Sequence, residues 1–153
     1  LVCHAARNEF ADDSVRRAIE ALGRQPGVEL IERFLPSREY DALVTGSDLV
    51  LLPYEPGQYR HRLSAVFVDA TVAGRPVIVP DGTWMSAQID AGRGAGERFA
   101  SLAPAEIAAA VARALDRIDV LGEAAAAAAP AVAHAHDPAR ALAVILGVAE
   151  RSA

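Results

Sequence analysis

The stretch Leu49–Pro80, LVLLPYEPGQYRHRLSAVFVDATVAGRPVIVP, reads as a strand, a long loop, a short helix, a glycine turn and a second strand. Asp48 precedes the apolar run Leu49–Leu52, which stops at Pro53. An unbroken apolar run of this kind is the composition of a parallel strand buried on both faces. The loop that follows carries Tyr54, Glu55, Tyr59, Arg60, His61 and Arg62. Ser64 can cap free backbone N–H groups and opens a helix expected to end at Gly74, with Pro76 beyond it as a stop signal. Val77, Ile78 and Val79 form the next buried strand.

Outward from this stretch the chain alternates strand and helix without internal repeats. Leu1–His4 reads as a strand, and Asp13–Leu22 as an amphipathic helix with Val15, Ile19 and Leu22 on one face, closed by Gly23. Val28–Phe34 mixes Val28, Leu30 and Phe34 with Glu29, Glu32 and Arg33, the pattern of a more exposed strand. Such alternation predicts an α/β fold, a Rossmann-like parallel sheet flanked by helices with right-handed crossovers, forming a single domain over 1–153. From Pro104 onward the chain reads as an Ala-rich helical C-terminal tail with breaks near Gly122, Pro130 and Pro138. Its Ala124–Ala129 run has high helix propensity and little area to bury.

In open parallel sheets ligands bind outside the carboxyl ends of the strands, which is where the loop Tyr54–Leu63 lies. The helix N-terminus beside it offers unpaired N–H donors and a partial positive charge, a combination suited to phosphate. Arg60 and Arg62 add guanidinium donors of matching geometry, Arg62 being the stronger candidate. Asp69 lies five residues past Ser64, about 7.5 Å along a helix at about 1.5 Å per residue. That offset spans a diphosphate and its ribose, whose hydroxyls a carboxylate can accept.

Composition excludes several classes. The 153 residues are 52% hydrophobic with mean hydropathy +0.19, enough to bury a sizeable core. All 15 basic residues are Arg, a base-composition bias before it is a functional signal. A net charge of −5 and pI near 5.3 argue against a nucleic-acid surface. No apolar stretch approaches the ~20 residues of a spanning helix, and no signal peptide is visible. One cysteine, Cys3, makes no internal disulfide, fits a reducing cytoplasm, and reads as a small buried hydrophobe rather than a nucleophile. The chain opens without Met inside a strand, so it is expected to be a domain excised from a two-domain protein.

Other chemistry-bearing residues carry competing readings. Trp84 suits stacking on a sugar or base, although a lone Trp near a helix start more often anchors packing. Gly92–Gly96 brushes against a dinucleotide fingerprint but follows a helix where that motif follows a strand. His134, His136 and Asp137 invite a metal reading, yet residues two apart diverge on a helix and Pro138 marks a break, so a helix end is expected and no metal site.

The run DLVLLPY at Asp48–Tyr54, the acidic helix residue Asp69 and AGRPVIVP at Ala73–Pro80 resemble the C-terminal donor-binding domain of GT-B retaining glycosyltransferases, family-4-like enzymes that include many of bacterial polysaccharide biosynthesis. The resemblance extends to the helix Arg38–Ser47, the loop Asp81–Trp84, the glycine turn before Arg98 and Phe99, and the helix Pro104–Leu115. Eight positions before Asp69, where the family carries a first Glu, this chain has His61. Tyr59, Arg62 and Ser64 fit a variant Tyr-x-x-Arg-x-Ser pattern.

The resemblance implies transfer of a sugar from a nucleotide diphosphate to an acceptor, with the nucleotide sugar as substrate and no cofactor or metal. His61 and Arg62 become the candidate catalytic side chains, and Tyr59, Ser64, Ala65, Asp69, Gly82 and Thr83 the donor-binding ones. Ser64 and Ala65 present amides to the diphosphate, Arg62 stabilises the leaving group and Asp69 holds the ribose. It further implies a partner N-terminal acceptor domain without which this domain is inactive, peripheral membrane association through that domain, and a cytoplasmic location. Two alternatives stay open: a non-catalytic interaction or regulatory domain of the same fold, and a nucleotide-sugar epimerase using Glu55, His61 and Asp81.

Overall fold

The computed structural model describes residues 1–5 and 13–146, which fall into two compact units, Leu1–Asp41 and Ala42–Ala153. Residues 147–153, included in the helical-tail expectation, lie outside the described residues.

In the first unit, β1 (Val2–His4) pairs in parallel with β2 (Glu29–Ile31), with α1 (Asp13–Gly23) between them in sequence. The strand expected over Val28–Phe34 is only three residues long, because β1 offers only Val2, Cys3 and His4 as partners. Phe34 is 82% exposed. Gly23 is the last helical residue of α1 rather than a left-handed cap; a Cβ there would meet Leu30 Cδ2 at 2.8 Å, so its smallness admits β2 against the helix. Burial pushes the Cys3 thiol above its ordinary value, which disfavours a reactive thiolate.

Helix α2 (Ser37–Thr45) runs into the second unit, whose sheet has the parallel order β3 (Val50–Leu51), β4 (Val77–Pro80), β5 (Gly96–Phe99). β4 is central and every residue in it is buried, as its unbroken apolar run requires. Pro80 is tolerated in a central strand because of ladder parity. Val77 and Asp81 donate toward β5, to Ala95 O and Phe99 O, so the nitrogen of Pro80 faces β3. There the Leu52 carbonyl already accepts from Tyr54 N–H at 2.8 Å, and no donor is wanted.

Ile78 joins a cluster with Ala95, Phe99, and Ala110 and Ala114 of α6 (Pro104–Asp116), continued by Leu121 and Ala125 of α7 (Ile118–Ala135). Polar contacts fix α6 on β5: Glu97, 13% exposed, accepts from Arg113 Nε at 3.1 Å and Arg117 Nη1 at 2.9 Å. Arg113 also donates to the Arg98 carbonyl at 2.7 Å.

Helix α7 corrects the expected breaks at Gly122 and Pro130, both of which lie inside it. An internal Pro loses one backbone hydrogen bond, but the alanine run favours helix and burial of Leu121, Ala125 and Val132 holds it in place. The third expected break, near Pro138, is present: α7 closes at His136 and α8 (Pro138–Ile145) follows, while a further break falls at Arg117. A Cβ on Gly122 would meet nothing within 4 Å. Gly122→Ala is therefore expected to stabilise the chain by about 0.5–1 kcal/mol, read as a rise in melting temperature.

Candidate functional site

Because β3, β4 and β5 are parallel, the loops after them leave one edge of the sheet. After β3, Glu55 accepts from Gln58 N–H at 2.9 Å and, with Pro56 at the first helical position, starts the one-turn helix α3 (Pro56–Tyr59). The next helix, α4 (Ala65–Val72), starts where expected: Ser64 Oγ accepts from Phe67 N–H at 3.2 Å, and Ser64 is buried. Its end is a Schellman motif, with Gly74 at φ +68°, its N–H donating to Thr71 O and Arg75 N–H donating to Ala70 O. Both ends of α4 are thus set by local chemistry, and its N-terminus opens at the carboxyl edge of β3.

On α4, Phe67, Ala70 and Thr71 face inward, while Ala65, Asp69 and Val72 form an exposed stripe. Ala65, whose N–H belongs to the first turn and has no intrahelical acceptor, therefore shares a face with the Asp69 carboxylate. Arg60, His61 and Arg62 are all exposed in the approach to this helix. The Tyr54 and Tyr59 rings stack with centroids 4.3 Å apart, and the Arg62 guanidinium lies over the Tyr59 ring at 5.9 Å. Burial pushes the Tyr54 phenol above its ordinary value, opposed by a hydrogen bond with Ser64 and aided slightly by Tyr59. Tyr59, Arg62, Ser64, Ala65 and Asp69 are in this way brought to one loop and one helix end.

Gly82 and Thr83 leave the same edge from β4. Gly82 is exposed at φ +68°. Thr83 is buried and caps α5 (Trp84–Asp90): its hydroxyl donates to Pro80 O at 2.8 Å and accepts from Ser86 N–H, while Ser86 Oγ accepts from Thr83 N–H. That reciprocal cap commits the Thr83 hydroxyl to the helix, so contact with a ligand there would come from backbone. Asp81 pairs with Arg98 at 3.7 Å, and Arg98 also pairs with Asp90. Trp84 is half-buried, edge-on to Phe67 with centroids 5.6 Å apart, and so packs α5 against α4.

The histidine segment is a helix end: His134 lies in the last turn of α7, His136 closes it, and Asp137 accepts from Ala139 N–H at 2.9 Å to cap α8. Among the described residues no cluster of His, Cys, Asp or Glu could hold a metal, and no helix is long and apolar enough to cross a membrane. A separate groove lined by Asp48, Arg75, Asp119 and Glu123 opens near the starts of β3 and β4, the opposite edge from these loops.

Sequence reasoning missed α3 and its cap, the Tyr54–Tyr59 stack and the Thr83 cap. Glu55-Pro56 was a usable signal for the first, since an acidic cap followed by Pro is a helix start. The stack carried none.

No protein-family model matches the chain, and no curated protein matches it. Among solved structures it is similar to sucrose-phosphate synthase from Thermosynechococcus elongatus, at 20% identity and a TM-score of 0.67. The match covers 96% of this chain and 36% of that one, so the chain spans about a third of that protein's length. At this identity the likeness concerns the fold alone, one of Rossmann-like parallel sheets flanked by helices.

Proposed function

From this fold and the resemblance of its sequence to GT-B glycosyltransferases, we propose that this chain is the donor-binding domain of a glycosyltransferase and takes a nucleotide-diphosphate sugar at the carboxyl edge of β3 and β4. One observation carries the reading: the open N-terminus of α4 and the Asp69 carboxylate lie on one exposed stripe, with Arg62 in the loop just ahead. The amides of Ser64 and Ala65 and the Arg62 guanidinium meet the diphosphate, and their positive charge stabilises it as it leaves. Asp69 accepts the ribose hydroxyls about one and a half turns along the helix. His61 faces the sugar, and Gly82 and Thr83 approach it through the turn after β4. Acceptor binding falls to a second domain, without which the chain binds a donor and does not turn it over.

The geometry weighs against the epimerase. Of its three candidate acid–base groups, Glu55 is occupied as a helix cap and Asp81 is paired with Arg98, which leaves His61.

Calorimetric titration of the chain with UDP, GDP, ADP and their sugar conjugates tests the proposal. One nucleotide is expected to bind, and Arg62→Ala to weaken it about tenfold or more, as loss of a charge-assisted contact does. Silence toward all of them from a folded chain would sink it.

A further inference from the structure

The loop between β3 and α4 builds more than a nucleotide site needs. A phosphate requires Arg62 and the helix amides, yet the structure places a file of side chains behind the arginine. Tyr54 stacks on Tyr59 with planes 21° from parallel and centroids 4.3 Å apart, and the Arg62 guanidinium lies over Tyr59 at 5.9 Å. The cation ahead of the helix is thereby backed by two stacked aromatic rings. Arg62 is exposed, and an exposed arginine samples many rotamers that it must surrender on binding. A ring face attracts a guanidinium and reduces that loss beforehand.

We infer that Tyr59 is a positioning residue: its ring, braced by Tyr54, holds Arg62 beside the N-terminus of α4 for the terminal phosphate of a nucleoside diphosphate. The inference rests on the nucleotide reading above and adds the residue that aims its cation. Tyr59 acts through Arg62, so its effect depends on Arg62 being present and on the phosphate that Arg62 meets. It needs the ring and not the hydroxyl.

The test titrates the full chain with UDP, GDP and ADP and with the matching monophosphates, in wild type, Tyr59→Leu, Tyr59→Phe, Arg62→Ala and the double variant Tyr59→Leu with Arg62→Ala. Tyr59→Leu is expected to weaken the bound diphosphate about two- to fivefold, the range of an exposed cation–ring contact, and to leave the monophosphate unchanged. Tyr59→Phe should bind as wild type does, and the double variant no more weakly than Arg62→Ala alone. In the ligand-free chain the Arg62 Nε–H proton should resonate upfield under the ring and return in Tyr59→Leu. A wild-type-like Tyr59→Leu, or a loss that persists without Arg62, or equal weakening of mono- and diphosphate, would overturn the positioning role. Failure of wild type to bind any nucleotide overturns the nucleotide reading and this role in it. The proton shift, read without ligand, separates that failure from a stack that does not form.

Discussion

Gly96→Ala is expected to destabilise the chain by about 3 kcal/mol, lowering its melting temperature by about 10 °C or preventing folding. A Cβ at this position would lie 1.8 Å from the Val77 carbonyl oxygen and 2.8 Å from its carbonyl carbon. Those atoms are backbone of the central strand, itself buried on both faces, so neither can retreat as a flexible side chain would. Gly96 also opens β5 and pairs with Val77, so a shift there disturbs the register of the β4–β5 ladder at its first pair. Phe99, at the far end of that ladder, carries the cluster with Ala110 and Ala114, and α6 would lose its seat. Comparison of Gly96→Ala with Gly122→Ala by thermal melting separates space from backbone freedom. The two substitutions add the same methyl group and should move the melting temperature in opposite directions. A Gly96→Ala chain that melts with wild type would show that the β4–β5 contact is looser than the structure has it.

The contrast between these glycines shows where the sequence was legible. Local signals were readable because their physics is local. Ser64 before an apolar run and Gly74 before Arg75-Pro76 marked both ends of α4, and the unbroken run Val77–Val79 marked the central strand. The glycine turn that leads into β5 before Arg98 was supplied by the family resemblance and not by a local signal. What stayed hidden depends on contacts distant in sequence. The need for glycine at position 96 comes from a carbonyl nineteen residues earlier, the Tyr54–Tyr59 stack from a turn of helix folding one ring back on another, and the continuity of α7 through Pro130 from burial against the rest of the second unit. The Thr83 cap was missed for a smaller reason: its third helical residue is Ser86 where the usual capping pattern has Glu or Gln. In the candidate site, positions along the chain were legible and occupations were not. Glu55, Asp81 and Thr83 all offered chemistry on paper, and each is engaged in holding the fold.

Asp69→Ala is expected to weaken nucleotide-diphosphate binding by about 2–3 kcal/mol, roughly thirty- to a hundred-and-fiftyfold in Kd, while the melting temperature changes little. Asp69 is exposed on α4, and the buried residues of that helix are Phe67, Ala70 and Thr71, so its substitution leaves the packed face intact. The size of the loss follows from two hydrogen bonds to an ionised acceptor, each stronger than a neutral one and both directed at the ribose. The same reasoning predicts how the loss depends on the ligand. A 2′-deoxynucleoside diphosphate lacks one donor, so wild type should bind it more weakly than the ribonucleotide, and Asp69→Ala should cost that ligand less. Asp69→Asn keeps the size of the side chain and removes its charge, and should fall between wild type and Asp69→Ala. Diphosphate binding that is indifferent to Asp69 and to the 2′-hydroxyl would place the nucleoside away from this stripe, leaving α4 as a phosphate contact alone. A loss equal for ribo- and deoxynucleotides would mean that the carboxylate acts on the site as a whole and does not grip the sugar. The coupling between residue and hydroxyl, more than the loss itself, is what identifies Asp69 as the ribose contact.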